Sequence, residues 1–129
     1  MSMFFIDDHE LRALAVNFGK VSAETTTVLV GVFKEGGNDL RNEWKANARA
    51  TSGQHGKHYP DSILAKMRLS ADIEVEVGPD PSLPQGGMSF EYGSVNQPPH
   101  LDGQRAADTI VPRFERRVET TMAALLGGL

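Results

Sequence analysis

Cysteine is absent from the 129-residue chain. That excludes a disulfide framework and any thiolate metal site, and makes a cytosolic assembly environment the simpler expectation. Long apolar runs are missing too, and no window reaches the ~20 residues that cross a bilayer. The opening Met1-Ser2-Met3-Phe4-Phe5-Ile6-Asp7 is apolar for only a few positions and lacks the charged start and cleavage site of a signal peptide. A soluble protein made without export, with no membrane partner, is therefore expected. Positive charge is in deficit: 13 Lys and Arg against 17 Asp and Glu give a net charge of -4 and a pI near 5.5. This argues against a tight grip on a phosphate backbone, where a basic surface is required. Gly36-Gly37 and Gly86-Gly87 are not embedded in a GxGxxG or Walker-type pattern, and no nucleophile elbow singles out a Ser-His-Asp triad.

What is present fits one small globular domain spanning residues 1–129, with 40% hydrophobic and 23% charged residues. Taken in order, Asp7 or Asp8 can cap a first helix over 8–18, with Leu11, Leu14, Ala15 and Phe18 on one face and Gly19 as its stop. A long amphipathic helix over 23–50 follows, on which Val28, Leu29, Val32, Phe33, Leu40, Trp44 and Ala48 recur at helical spacings. Gly36-Gly37 interrupts it and predicts a kink or a close approach of another backbone, since each glycine costs about 1 kcal/mol against alanine there. Residues 51–60 read as a loop. Two strands are expected at Ser62–Leu69 and Ala71–Val77, the second with Ile73, Val75 and Val77 alternating against Asp72, Glu74 and Glu76. A proline-rich hairpin tip over 78–87 then leads to a third strand, Met88–Tyr92, with Phe90 and Tyr92 on one face and Glu91 on the other.

The stretch Phe90-Glu91-Tyr92-Gly93-Ser94, with Gln97-Pro98-Pro99-His100-Leu101, sets how the sheet meets the last helix, because the prolines hold the exit extended. That helix is capped by Asp102, carries a stripe of Ala106, Ala107, Ile110, Val111, Phe114, Val118, Met122, Leu125 and Leu126, and ends at Gly127-Gly128. Pro112 should bend or divide it. The resulting fold class is α+β: an N-terminal helix and a long helix packed on a small, mainly antiparallel sheet of about three strands, with a C-terminal helix.

Few residues suggest chemistry. His55, His58 and Asp61, with His100, form the one metal or acid-base candidate, but the two histidines sit in a glycine-rich loop with no preformed helical geometry. A solvated loop is the preferred reading, with no metal, no cofactor and no catalytic residue expected. Trp44 reads as core. Arg41, Lys45 and Arg49 make a basic stripe on the long helix, and the acidic face of Asp72, Glu74 and Glu76 is its natural counterpart, within one subunit or between two.

This order of motifs resembles the tail-completion or head-tail joining proteins of long-tailed bacteriophages, the lambda Z-like minor tail family. The match lies at Glu91, Tyr92, Gly93, Pro98, Pro99, His100, Leu101, Pro112 and Phe114, within a likeness covering roughly residues 7–126. His100-Leu101-Asp102-Gly103 replaces the family's usual phenylalanine-leucine-arginine-proline run, and the 78–87 tip carries extra prolines. The resemblance implies a non-enzymatic virion protein, assembled in the host cytoplasm as a homo-oligomeric ring, a hexamer, at the neck. Its partners would be connector proteins on one side and the tail tube or tail terminator on the other, with DNA passing through the lumen unbound. A tail terminator or another neck ring is the alternative within this class; a small metal-dependent hydrolase using His55, His58 and Asp61 is the alternative outside it.

Overall fold

The computed structural model describes residues 4–7, 12–17, 23–70, 72–94 and 98–127, with side chains for 24–70, 73–94 and 98–125. Four strands, β1 (Phe4–Asp7), β2 (Arg12–Asn17), β3 (Ile63–Leu69) and β4 (Asp72–Pro79), form one sheet in the order β1-β2-β4-β3, each neighbouring pair antiparallel. Two long helices, α1 (Ala23–Thr51) and α4 (Asp102–Gly127), and two short turns, α2 (Tyr59–Ser62) and α3 (Ser89–Tyr92), complete an α+β chain.

Of the three strands expected, β3 and β4 are found within a residue or two of their expected bounds. The third is not a strand: 88–92 contains α3, whose Tyr92 and Gly93 amides donate back to the Met88 and Ser89 carbonyls. Alternation over five residues is too short to separate a strand from a single helical turn. The expected helix over 8–18 is also corrected, because 12–17 is β2, hydrogen-bonded along β4 from Arg12 opposite Val77 to Asn17 opposite Asp72. Leu14 and Val16 fit period two as well as period 3.6, and pairing with β4 decides between them. Asp7 ends β1 rather than capping a helix, and Asp8, Leu11, Phe18 and Gly19 lie outside the described residues.

The long helix is observed almost as read. Leu29, Phe33, Leu40, Trp44 and Ala48 are buried, whereas Val28 is exposed. The glycine pair sits in unbroken helix, and the close approach is made by side chains instead of backbone. A Cβ on Gly37 would lie 2.3 Å from Val75 Cγ1 of β4, and one on Gly36 would lie 2.3 Å from Phe114 Cδ2 of α4. Adjacent helical residues point about 100° apart, so the pair lets α1 sit tightly against the sheet and against α4 together. Phe33 meets Phe114 edge to face, with centroids 4.8 Å apart.

Pro112 does not divide the terminal helix, which runs as one element from Asp102 through Gly127 with Pro112 exposed. Ala106, Ala107, Ile110, Val111, Phe114 and Val118 are buried as expected, while Met122 and Leu125 are half-buried. On β4, Ile73, Val75 and Val77 are buried beneath α1. Glu74 and Glu76 take the opposite face but are half-buried rather than fully wet, because Arg68 of β3 lies over Glu76 with a nitrogen–oxygen contact of 2.8 Å. Leu69, expected on the core side of β3, is instead 60% exposed where the strand runs past the helices.

Replacing Gly37 by Val should lower the unfolding free energy by about 2 kcal/mol in urea titration, through overpacking against Val75. Gly31→Ala, where nothing among the described residues stands within 4 Å of the added carbon, should raise it by up to ~1 kcal/mol through helix propensity alone. Equal and opposite-to-expected shifts at the two sites would show that α1 does not use its glycines for close packing.

Candidate functional site

The residues that carry the sequence motif converge where α3 meets the start of α4. Glu91 is 0% exposed, although its neighbour Tyr92 is 45% exposed. The helical turn rotates Glu91 inward, and its two carboxylate oxygens accept the Gly103 amide at 2.8 Å and the Gln104 amide at 2.9 Å. Those are orphan donors of the first turn of α4, and a carboxylate there also meets the positive end of the helix dipole. Glu91 thus caps a helix that begins eleven residues later in the chain.

Backbone bonds fix the same joint. The His100 amide donates to the Phe90 carbonyl at 2.8 Å and the Leu101 amide to the Glu91 carbonyl at 3.1 Å. Reversing the chain between these contacts places Gly93 at φ +85° and Leu101 at φ +55°. Gly93 takes its conformation at no steric cost, whereas Leu101 is held in the left-handed region by the bonds on either side. Pro98 and Pro99 are exposed and extend the connection without regular structure.

A second buried carboxylate lies beside the first. Asp102, also 0% exposed, accepts the Thr51 hydroxyl at 2.9 Å and Arg105 Nη2 at 2.6 Å, while its carbonyl accepts Asn47 Nδ2 at 3.0 Å. Arg105 Nη1 also donates to the His100 carbonyl. The end of α1 and the start of α4 are therefore tied by side chains on both. Gly103 is required at this point for room, since a Cβ would lie 2.5 Å from the Trp44 ring.

Aromatic rings close the joint from the α1 side. Trp44 Nε1 donates to the Tyr59 hydroxyl at 3.2 Å, Tyr59 stacks on Phe90 at 4.6 Å, and His100 meets Phe90 edge to face at 5.7 Å. Burial holds the Tyr59 hydroxyl well above its ordinary value, with the Glu91 and Asp102 carboxylates adding to the effect against the Trp44 bond. His100 Nδ1 is buried with no hydrogen-bond partner among the described residues, 3.8 Å from an Asp102 oxygen.

The remaining candidates lie elsewhere. His55 and His58 are exposed; Gln85 ties their loop down, its side chain bonding the His55 carbonyl and the His58 amide. Asp61 lies 3.8 Å from Arg49. Among the described residues no group of three His, Asp or Glu is placed to hold a metal. The stripe of Arg41, Lys45 and Arg49 does not meet the acidic strand within one subunit, because α1 covers the sheet face opposite to that of Glu74 and Glu76; Asp72 begins the same strand. Comparison with known protein families, with curated proteins and with solved structures finds no match for this chain.

Sequence reasoning named Glu91, Gly93, His100, Leu101 and Asp102 but missed Thr51, Asn47, Tyr59 and Arg105. An acidic residue between two aromatics, ahead of a helix starting Asp-Gly, was the available signal that a carboxylate is buried here.

Glu91→Ala should cost about 3 kcal/mol in chemical denaturation, since one buried and one partly buried amide lose their acceptor. Glu91→Gln, which keeps one acceptor oxygen, should cost less than half of that, and equal losses would mean that the amides are satisfied otherwise. Tyr59 gives a pH prediction. Its folded value is raised above the ordinary 10.0, so its contribution is intact below pH 10 and is lost as pH rises, when only the unfolded state releases the proton. Stability measured from pH 9 to 11.5 should fall less steeply in Tyr59→Phe than in the wild type.

Proposed function

We propose that this chain is a virion structural protein that forms a ring at the head-tail junction of a long-tailed bacteriophage, completing the tail and mediating head-tail joining without catalysis of its own. The observation that carries the reading is the joint itself. Glu91, Tyr92, Gly93, His100 and Leu101, the residues of the family resemblance, are neighbours around one capped helix start, and Phe114 packs farther along that helix against Gly36. A motif whose members hold one another is what a conserved architectural role would need; its carboxylates are occupied by backbone and side-chain donors.

Charge supports an arrangement for the ring. The acidic face of β4 is turned away from α1 and α4, so the sheet can line a lumen while the helices face outward. On that face Glu74 and Glu76 stand beside Lys66 and Arg68, with Arg68 against Glu76, so passing DNA would meet paired charges and not the basic surface that grips a phosphate backbone. In that arrangement the stripe of Arg41, Lys45 and Arg49 is offered to an adjoining layer, a connector protein or the tail terminator. A closed ring uses heterologous contacts between copies, and a hexamer is the copy number the resemblance implies. A tail terminator or another neck ring shares these supports.

The test is the solution mass of the purified protein together with its position in intact particles by cryo-electron microscopy. A ring-sized mass, or subunits that assemble only at a neck density, is expected; a stable monomer absent from the particle would sink the reading. Reversing Lys45 and Arg49 together to Glu should leave the ring mass unchanged and reduce head-tail joining at least tenfold. Loss of the ring itself would show instead that the stripe meets the acidic strand of the next copy.

A further inference from the structure

We propose that copies of this chain join sheet edge to sheet edge, the β1 strand of one copy adding to the outer edge of β3 of the next; this rests on the ring reading above and specifies its contact. Among the described residues no strand pairs with the outer edge of either β1 or β3. Such edges present rows of unpaired amides and carbonyls that template further pairing.

Strand direction selects the occupant. With four strands in β1-β2-β4-β3 order and every neighbouring pair antiparallel, β1 and β3 run in opposite directions. A second copy placed beside the first by simple rotation therefore brings its β1 to β3 as one more antiparallel pair, and the operation can repeat. Pairing β3 with β3 would instead set Lys66 and Arg68 against the same residues of the partner, and like charges on facing strands destabilise. Head-to-tail addition is thus favoured over a two-fold dimer, and head-to-tail contacts that close make rings.

The register carries the same message. Four rows cross the whole sheet: Asp7-Ala13-Glu76-Lys66, Ile6-Leu14-Val75-Met67, Phe5-Ala15-Glu74-Arg68 and Phe4-Val16-Ile73-Leu69. Continued into a second copy without a shift, they place Asp7 opposite Lys66, Ile6 opposite Met67 and Phe4 opposite Leu69; the remaining row places Phe5 opposite Arg68, which is already held by Glu76. The basic end of one row thus meets its acidic start, and apolar rows continue as apolar. At the β3 edge the Lys66 side chain is 62% exposed, its nitrogen 3.7 Å from Asp80 of the same copy and still open to a second carboxylate, and Leu69 is 60% exposed. Beside them a groove of about 350 Å³, lined by Val30, Lys34, Asn38, Ala65, Met67 and Val75, opens between α1 and the edge. Apolar side chains from an added strand would extend the core into that groove.

The cysteine-free sequence makes the contact directly testable. In Asp7→Cys/Lys66→Cys, the two thiols of one copy stand at opposite edges, about 14 Å apart at three strand spacings, beyond the ~7 Å a disulfide spans. Every disulfide must then join two copies. Mild oxidation should give a ladder of covalent oligomers ending at the ring size on a non-reducing gel, with neither single variant crosslinking. Dimers from Lys66→Cys alone would reveal β3 meeting β3 and overturn the proposal, as would the absence of a ladder from the double variant. In the latter case a ring-sized mass in the same sample would leave the ring reading standing, and its absence would count against both. Because a cysteine variant can fail through misfolding, a charge exchange provides a second readout. Lys66→Asp should lose the ring and Asp7→Lys/Lys66→Asp should regain it, a recovery that a folding defect cannot produce; an intact ring in Lys66→Asp overturns the contact.

Discussion

A carboxylate with no exposure needs hydrogen-bond donors in the interior, and Glu91 is met by the first amides of α4. Much of the chain path follows from this. The turn α3 must lie against the start of α4, the connection between them must reverse, and the reversal places Gly93 and Leu101 at positive φ. Asp102 then enters the same interior with a second negative charge, and Arg105 with the Thr51 hydroxyl answers it. The aromatic layer of Trp44, Tyr59 and Phe90 keeps water from these bonds, which is the condition under which charge-assisted bonds are strong.

The other constraint is the position of α1. It is the middle layer, with β4 on one side and α4 on the other, and Gly36 and Gly37 remove the side-chain bulk that would otherwise separate them. A helix buried from two sides leaves the sheet covered on one face only. The other face is consequently free to be charged, and Glu74, Glu76, Lys66 and Arg68 occupy it with Arg68 held against Glu76. The separation of the α1 basic stripe from the acidic strand is therefore a consequence of layer order, and any meeting of the two has to be between molecules.

Both long helices and the β3-β4 pair were legible in the sequence because their patterns are long. Leu29, Phe33, Leu40, Trp44 and Ala48 repeat over five helical turns, and Ile73, Val75 and Val77 alternate against acidic residues. Shorter segments were decided by partners that periodicity cannot see. Arg12–Asn17 is a strand because β4 offers it a ladder, and Ser89–Tyr92 is a helical turn because Glu91 must reach Gly103 and Gln104. The stretch leads into the last helix from a helical turn and not from a strand of the sheet, and Gly93 has the positive φ its place suggested. Which side is buried was not legible: Glu91 is the buried member and Tyr92 the exposed one, and the donors that allow it, the Gly103 and Gln104 amides, lie in a later element. Pro112 was over-weighted, being exposed within a helix that continues past it.

The two buried carboxylates stand apart from the grooves formed by the described residues, the larger beside β3 and a smaller one of about 120 Å³ lined by Lys66, Arg68, Glu76 and Asp80, whose charges lie close to one another. A catalytic carboxylate or histidine must turn a lone pair toward a cleft where a substrate can enter. Here the buried carboxylates are turned toward α4 amides, the Thr51 hydroxyl and Arg105, whereas the open groove beside β3 is lined by Val30, Ala65, Met67 and Val75 with Lys34 as its charged member. Carboxylates used as internal staples rigidify; an apolar groove alongside an unpaired edge accepts another polypeptide. Both features fit the assembly proposed above, in which a subunit supplies a contact held in fixed geometry.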